Sequence, residues 1–231
     1  MVLRLAEHLD VPVGDRNALL MAAGYAPAFG ETPLDAPAMA AVRDGLAHLL
    51  TASEPNPTLV LHGAFDIAMT NRAAHRLLVG IPEELRRPPL NVMRLALHPR
   101  GLAQRIVNLA EWREHQLERM RRTMLTRDSP ALRALYAEVS AYPHPTLPAD
   151  GVTQPADGVP EGGDPTRPLP LALTMRLLIE GQELSFLSTM TTFNTPLDVT
   201  VSELAIETFL PADPPTAQAL TRLAADSEVA S

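Results

Sequence analysis

Apolar positions along this chain change period twice, and the changes divide it into three stretches. Up to about residue 50 the spacing is helical. Val2, Leu5 and Leu9 recur at i, i+3 and i+7 and predict a short helix over 2–9. Asp10 is placed to cap a second helix, with Pro12 in its first turn, where a missing N–H costs nothing. Leu19, Leu20 and Ala23 give that helix a stripe, and Gly24 suits the position just past its end. A third helix starts at Asp35 and Pro37. Met39, Val42, Leu46, Leu49 and Leu50 form its buried face, and Gly45 weakens it slightly.

After Pro57 the period shortens to two. TLVLHGAFDIAMTN (58–71) predicts two short strands about a turn at His62-Gly63. Asn71 then opens a short helix, RAAHRLL, closed by Gly80, and a loop with Pro82, Pro88 and Pro89 follows. Leu102, Ile106, Leu109, Leu117, Met120 and Met124 predict one long helix over 101–126, its apolar spacing broken at Arg113. A second face of that helix carries Arg105, Asn108, Trp112, His115, Arg119 and Arg122. Leu132, Leu135 and Val139 mark a further helix over 129–140.

Residues 143–168 hold seven prolines and four glycines, a composition that buries too little to order itself, and predict a mobile loop. The last third is β. Leu169, Leu171, Leu173, Met175, Leu177 and Ile179 alternate with polar residues, Gly181-Gln182 suits a hairpin turn, and Leu184, Phe186, Ser188 and Met190 alternate on the return. VTVSELAIETFLPAD (199–213) fits either period; its β-branched and aromatic content favours a strand with Leu204, Ile206, Thr208 and Leu210 on one face. A short helix near 216–225 ends the pattern. The expectation is an α+β fold: a five-stranded antiparallel sheet with helices on one face, preceded by short N-terminal helices. That order of elements resembles a PAS-like fold.

Composition narrows the function classes. The chain has 231 residues, of which 46% are apolar, enough for a real core. No run approaches the ~18 apolar residues of a membrane span, and no basic segment precedes an apolar one at the N-terminus, so a cytoplasmic location is expected. Absence of cysteine excludes disulfides and thiolate metal sites. The net charge of −8 argues against a general nucleic-acid binder. All 19 basic residues are arginines, which with abundant Ala, Leu and Pro suggests a GC-rich bacterial genome. Seven arginines in 100–127 are interleaved with three glutamates and read as a solvated helix. No H-E-x-x-H, G-x-S-x-G, phosphate loop or dinucleotide fingerprint occurs. Glu111 and His115, four apart, read as a surface contact. Neither catalysis, a metal nor another cofactor is expected.

Three ordered blocks carry a resemblance: LAEHLDVPVGDRNALLMAAGYAP (5–27), NVMRLALHPRGLAQRIVNLAEW (91–112) and GQELSFLSTMTTFNTPLDVTVSELAIETFLPAD (181–213), with MTNRAA (69–74) more weakly. The chain resembles bacterial MmyB-like transcription regulators, in which a helix-turn-helix domain is joined to a PAS-like ligand-binding domain. The resemblance implies that 1–30 is the tail of the helix-turn-helix domain, 31–57 a connecting helix, 58–213 the PAS-like domain and 214–231 a C-terminal helix and tail. The groove-reading helices would then lie upstream. Residues 1–30 carry only Arg4 and Arg16 against Glu7, Asp10 and Asp15, so no DNA-binding residue is expected in this chain.

The same resemblance implies a homodimer and a small apolar ligand, fatty-acid-like, held between the sheet and the helices. Candidate lining residues are Ile106, Leu109, Met120, Leu173, Met175, Leu177, Phe186 and Met190. Arg94, His98, Arg105, Asn108 and Trp112 are the polar candidates for a carboxylate, the last three at i, i+3 and i+7 of the predicted helix. Each group also has a plainer reading. A Leu/Met face is ordinary core, Arg105 and Arg119 solvate a helix, and Trp112 packs against the N-terminal helices. Two functions follow: a sensor module of a ligand-responsive regulator, or a shortened regulator that pairs with relatives and binds neither ligand nor DNA.

Overall fold

The computed structural model describes residues 1–9, 11–126, 129–143, 173–193 and 196–228. Most of the predicted proline-rich loop (144–168) lies outside the described residues, as do Asp10, 169–172 and Asn194-Thr195.

One antiparallel sheet organises the chain, in the order β2-β1-β5-β4-β3. β1 (Thr58–His62) and β2 (Asp66–Thr70) form the first hairpin, with a register shift between Val60 and Leu61. β3 (Thr174–Ile179) and β4 (Gln182–Thr192) form the second. Its turn is Glu180-Gly181, one residue earlier than the spacing predicts. Both residues take positive φ, 50° and 79°, which matches the twist of the flanking strands and which glycine adopts without strain. β5 (Ala205–Pro211), last in sequence, lies in the middle and joins the hairpins through Val60↔Ile206 and Thr189↔Thr208.

Period-two alternation decides what each sheet face meets. Leu59, Leu61, Met175, Leu177, Leu184, Phe186 and Phe209 turn to the main core. There they meet α4 (Arg72–Leu77), α5 (Val92–Leu97), α6 (Leu109–Thr126), α7 (Pro130–Ser140) and α9 (Pro214–Glu228). The layer is therefore α+β, as expected. The opposite face is not bare. Val60 and Ile206 pack there against Leu46 and Leu50 of α3 (Ala40–Ala52).

Local caps set the helix starts. Asn71 caps α4 by accepting from the Ala74 N–H at 2.9 Å, and also accepts from the Thr58 N–H at 3.0 Å, tying helix to strand. Asn91 caps α5, a helix the apolar spacing did not announce. In the N-terminal pair, α1 (Val2–His8) and α2 (Val13–Ala22), the N-cap position of α2 is Pro12.

Two predicted elements are corrected. The long helix over 101–126 is broken: a 3₁₀ turn at Leu102–Arg105 is followed by an extended step before α6 begins at Leu109. Ile106 bridges Leu177, the Val107 N–H donates to the Arg176 carbonyl at 2.8 Å, and Asn108 Nδ2 donates to the Thr174 carbonyl at 2.9 Å. β3 is an edge strand whose backbone groups need partners, and this step supplies them at the expense of helix continuity. The predicted strand over 199–213 likewise opens as a helix, α8 (Val199–Glu203), capped by Asp198 through the Thr200 N–H at 2.9 Å. Asp198 also accepts from Thr32 Oγ1 at 2.8 Å, which docks the N-terminal segment against α8.

Candidate functional site

Between the sheet's inner face and α4, α5 and α6 lies a cavity of about 50 Å³. Leu59, Ile67, Met175 and Phe209 form its sheet wall, and Leu78, Met93, Leu95 and Trp112 much of its helical wall. Waters need only ~10–15 Å³ each, whereas drug-sized ligands occupy ~300–1,000 Å³. A long-chain guest must therefore push side chains aside. Met93 and Met175 are the unbranched, adaptable ones in the wall.

Polar groups converge at one corner. Glu207 of β5, paired opposite Leu59, turns to the cavity face and is 2% exposed. Its Oε1 accepts from Arg119 Nη1 at 3.0 Å and from Ser188 Oγ at 2.7 Å. Arg119 also stands over the Phe65 ring, 5.2 Å from its centre. Gln116, one turn earlier on α6, is buried beside them and also lines the cavity. Trp112, another turn back, is 4% exposed, and its Nε1 has no hydrogen-bond partner among the described residues. On its outer side Arg119 also lines a surface hollow with His115, Glu118, Arg122 and Thr123, so its side chain stands between solvent and cavity.

Most of the polar residues proposed from the sequence are engaged elsewhere. Arg94 binds Glu138 through Nε and Nη2, the latter at 2.8 Å, and joins α5 to α7. That bond holds the Glu138 carboxyl below its ordinary range, with help from the Tyr142 hydroxyl, and raises Arg94. Burial, then the hydrogen bond to Glu138, pushes the Tyr142 hydroxyl up. His98 meets the Tyr142 ring edge-on at 5.0 Å. Arg105 donates to the Val79 carbonyl at 2.6 Å and to the Leu77 carbonyl at 3.3 Å, closing the end of α4. Asn108 holds the β3 edge. Because the helix breaks at 106–108, Arg105, Asn108 and Trp112 do not share one helical face. Of the five, Trp112 alone lines the cavity.

Among the apolar candidates, Met175 lines the cavity. Ile106, Met120, Leu177 and Phe186 belong to the core around it, with Leu109 and Leu173 packed at its edge. Met190 is exposed, its sulfur 3.7 Å from Arg119 Nη2. Sequence reasoning passed over Glu207 and Gln116. A glutamate between Ile206 and Thr208 reads as the solvent side of a strand, and nothing local announces a partner 88 residues away.

Among the described residues, no group of His, Asp and Glu is arranged to hold a metal ion, and no helix is long and apolar enough to cross a membrane. The family model described as the MmyB-like transcription regulator ligand binding domain matches residues 42–223. A comparison with curated proteins finds no match.

Proposed function

The chain belongs to the family of MmyB-like transcription regulator ligand binding domains, and from that premise we propose that it is a non-enzymatic sensor module in a PAS-like arrangement. Its ligand is a small apolar molecule with a fatty-acid-like chain, seated between the sheet and α4, α5 and α6. One observation carries this reading: an apolar cavity with a polar corner made of Trp112, Gln116, Arg119 and Glu207. A cavity smaller than its guest suits a switch. A guest that enlarges it binds the expanded state better than the compact one, and only such a difference shifts a population. Movement of α6 would be passed on through α7, tied to it by Arg113 donating to the Ser140 carbonyl at 2.7 Å.

The test is a thermal-shift screen with long-chain fatty acids, alcohols and esters. Stabilisation by at least one class, lost on Met175→Trp, supports the seat; no shift from any class ends the proposal. A second reading, an interaction module that pairs with another copy, is favoured by Leu5, Leu9, Met21 and Tyr25, all exposed on the N-terminal helical pair and the turn after it. Light scattering after size-exclusion decides it, since a strict monomer at every concentration removes the pairing.

A further inference from the structure

The N-terminal helical pair has a small core of its own. Ala6, Val13 and Leu20 are buried, yet they belong to neither of the two apolar clusters that hold the sheet and its helices. Asn17 of α2 keeps the following chain folded back on the pair. It accepts from the Ala28 and Phe29 N–H groups at 3.0 and 3.1 Å and donates to the Phe29 carbonyl at 2.8 Å. From Leu34 onward the chain is fixed elsewhere. Leu34 packs against the cluster of Leu46, Leu50, Val60, Leu204 and Ile206, and Arg43 of α3 donates to the Leu34 and Ala36 carbonyls at 2.6 and 2.7 Å. Between these two bodies stands α8. Gly30 and Asp198 form a parallel bridge, in which the Val199 N–H donates to the Gly30 carbonyl at 2.8 Å. The Asp198 carboxylate accepts from the Thr32 N–H at 3.2 Å as well as from its hydroxyl, while still capping α8. α2 itself reaches α8 at Gly14, close against Val199.

α8 runs through Leu204 directly into β5, whose Glu207 and Phe209 form part of the cavity wall. One short stretch, 198–209, therefore carries both the contact to the N-terminal pair and a side of the cavity. We infer that Asp198 and Thr32 form a ligand-controlled latch, which holds the N-terminal helical pair on α8 while the cavity is compact and lets it go when a guest enlarges the cavity. This rests on the reading of the cavity as a ligand seat and adds how its occupancy reaches the N-terminal helices. The direction follows from the geometry. The latch is closed in the state whose cavity holds about 50 Å³, too little for a long-chain guest. A guest pressing on Phe209 and Glu207 shifts β5 against α3, which covers the other face of the sheet, and α8 moves with β5. Thr32 is anchored to α3 through Leu34 and Arg43, so the two latch partners part. A hydrogen bond of ordinary length tolerates little such displacement. Release and binding are then linked: whatever weakens the latch tightens binding by the factor through which the guest weakens the latch.

Thr32→Val removes the latch hydroxyl and leaves the cap of α8 intact. Amide hydrogen exchange of the intact chain is followed with and without dodecanoate or dodecan-1-ol, and the affinity for each probe is measured by calorimetry. Without a probe, Thr32→Val should raise exchange in α1 and α2 about fivefold, the worth of one hydrogen bond, and leave β1, β4 and β5 unchanged. A bound probe should raise exchange in α1 and α2 of the wild-type chain as well, and Thr32→Val should bind it up to about fivefold tighter. Asp198→Asn, which keeps an acceptor for the Thr200 N–H, should act in the same direction. A probe that binds yet leaves exchange in α1 and α2 unchanged or lowers it, or that binds Thr32→Val no tighter, overturns the latch and leaves the ligand seat standing. Exchange that rises equally in β1, β4 and β5 of Thr32→Val also overturns it, because the contact then supports the whole chain rather than a separable pair. Binding by neither probe overturns the seat and this inference with it. If Thr32→Val does not fold, Asp198→Asn and the wild-type exchange still decide.

Discussion

Glu207 and Arg119 should behave as one energetic unit, and a double-mutant cycle measures it. The Glu207 side chain is 3% exposed and that of Arg119 22%. Arg119→Met strands a buried carboxylate with Ser188 as its remaining donor, which places the cost in the range of about 3–5 kcal/mol for breaking a buried pair. Glu207→Gln strands the cation instead. Arg119 retains some solvent contact and the Phe65 face, so this cost falls lower, at about 2–3 kcal/mol. The double variant Arg119→Met/Glu207→Gln removes both charges and keeps an acceptor for Ser188, and should lose only about 1–2 kcal/mol. The cycle thus carries a coupling of roughly 5 kcal/mol, within a range of about 3–7. Urea midpoints at unchanged m-value provide the readout. In thermal melts Arg119→Met should lower Tm by roughly 6–20 °C, taking about 2–4 °C per kcal/mol for a chain of this size. Loss in the double variant equal to the sum of the singles, within about 0.5 kcal/mol, would refute the pairing.

Asn71→Ala should destabilise by about 2–4 kcal/mol, because it leaves the buried Thr58 and Ala74 N–H groups without their acceptor and removes the α4 cap; urea unfolding checks this, and a loss under about 0.5 kcal/mol contradicts the shared role. Glu138 has its folded carboxyl lowered below 4.5 by Arg94, so the stability it contributes is present above that value and is lost as pH falls through the lower folded one. With side chains 39% and 38% exposed, the pair is worth at most about 1 kcal/mol. Comparing urea midpoints of the wild-type chain and Glu138→Gln from neutral to acid pH should show a small gap that closes on acidification; a gap that widens reverses the sign.

Local elements were readable because their determinants are local. The β3–β4 hairpin follows from alternation across Leu173–Met190 around a glycine, and Asn71 announced a cap because its side chain serves the turn that it opens. Residues 106–108 show the limit. Leu102, Ile106 and Leu109 have helical spacing, yet the edge of β3 claimed the backbone of Ile106 and Val107 between them. α8 shows the same competition, settled by Asp198 acting both as cap and as acceptor for Thr32. At the cavity, Met175 and Trp112 stood among the residues singled out from pattern and resemblance, while Arg94, Arg105 and Asn108 serve Glu138, the end of α4 and the edge of β3.

By itself the sequence determined the elements whose energy comes from neighbours a few residues away: period-two strands, glycine turns, side-chain caps and apolar helix faces. Only the tertiary structure decided that β5 enters between the two hairpins and turns Glu207 inward to Arg119 on α6. Such a pair offsets the desolvation of Glu207 only where folding has set β5 against α6 and supplied the Ser188 hydroxyl as a second donor. That condition depends on the whole assembled layer, and no short stretch of residues encodes it.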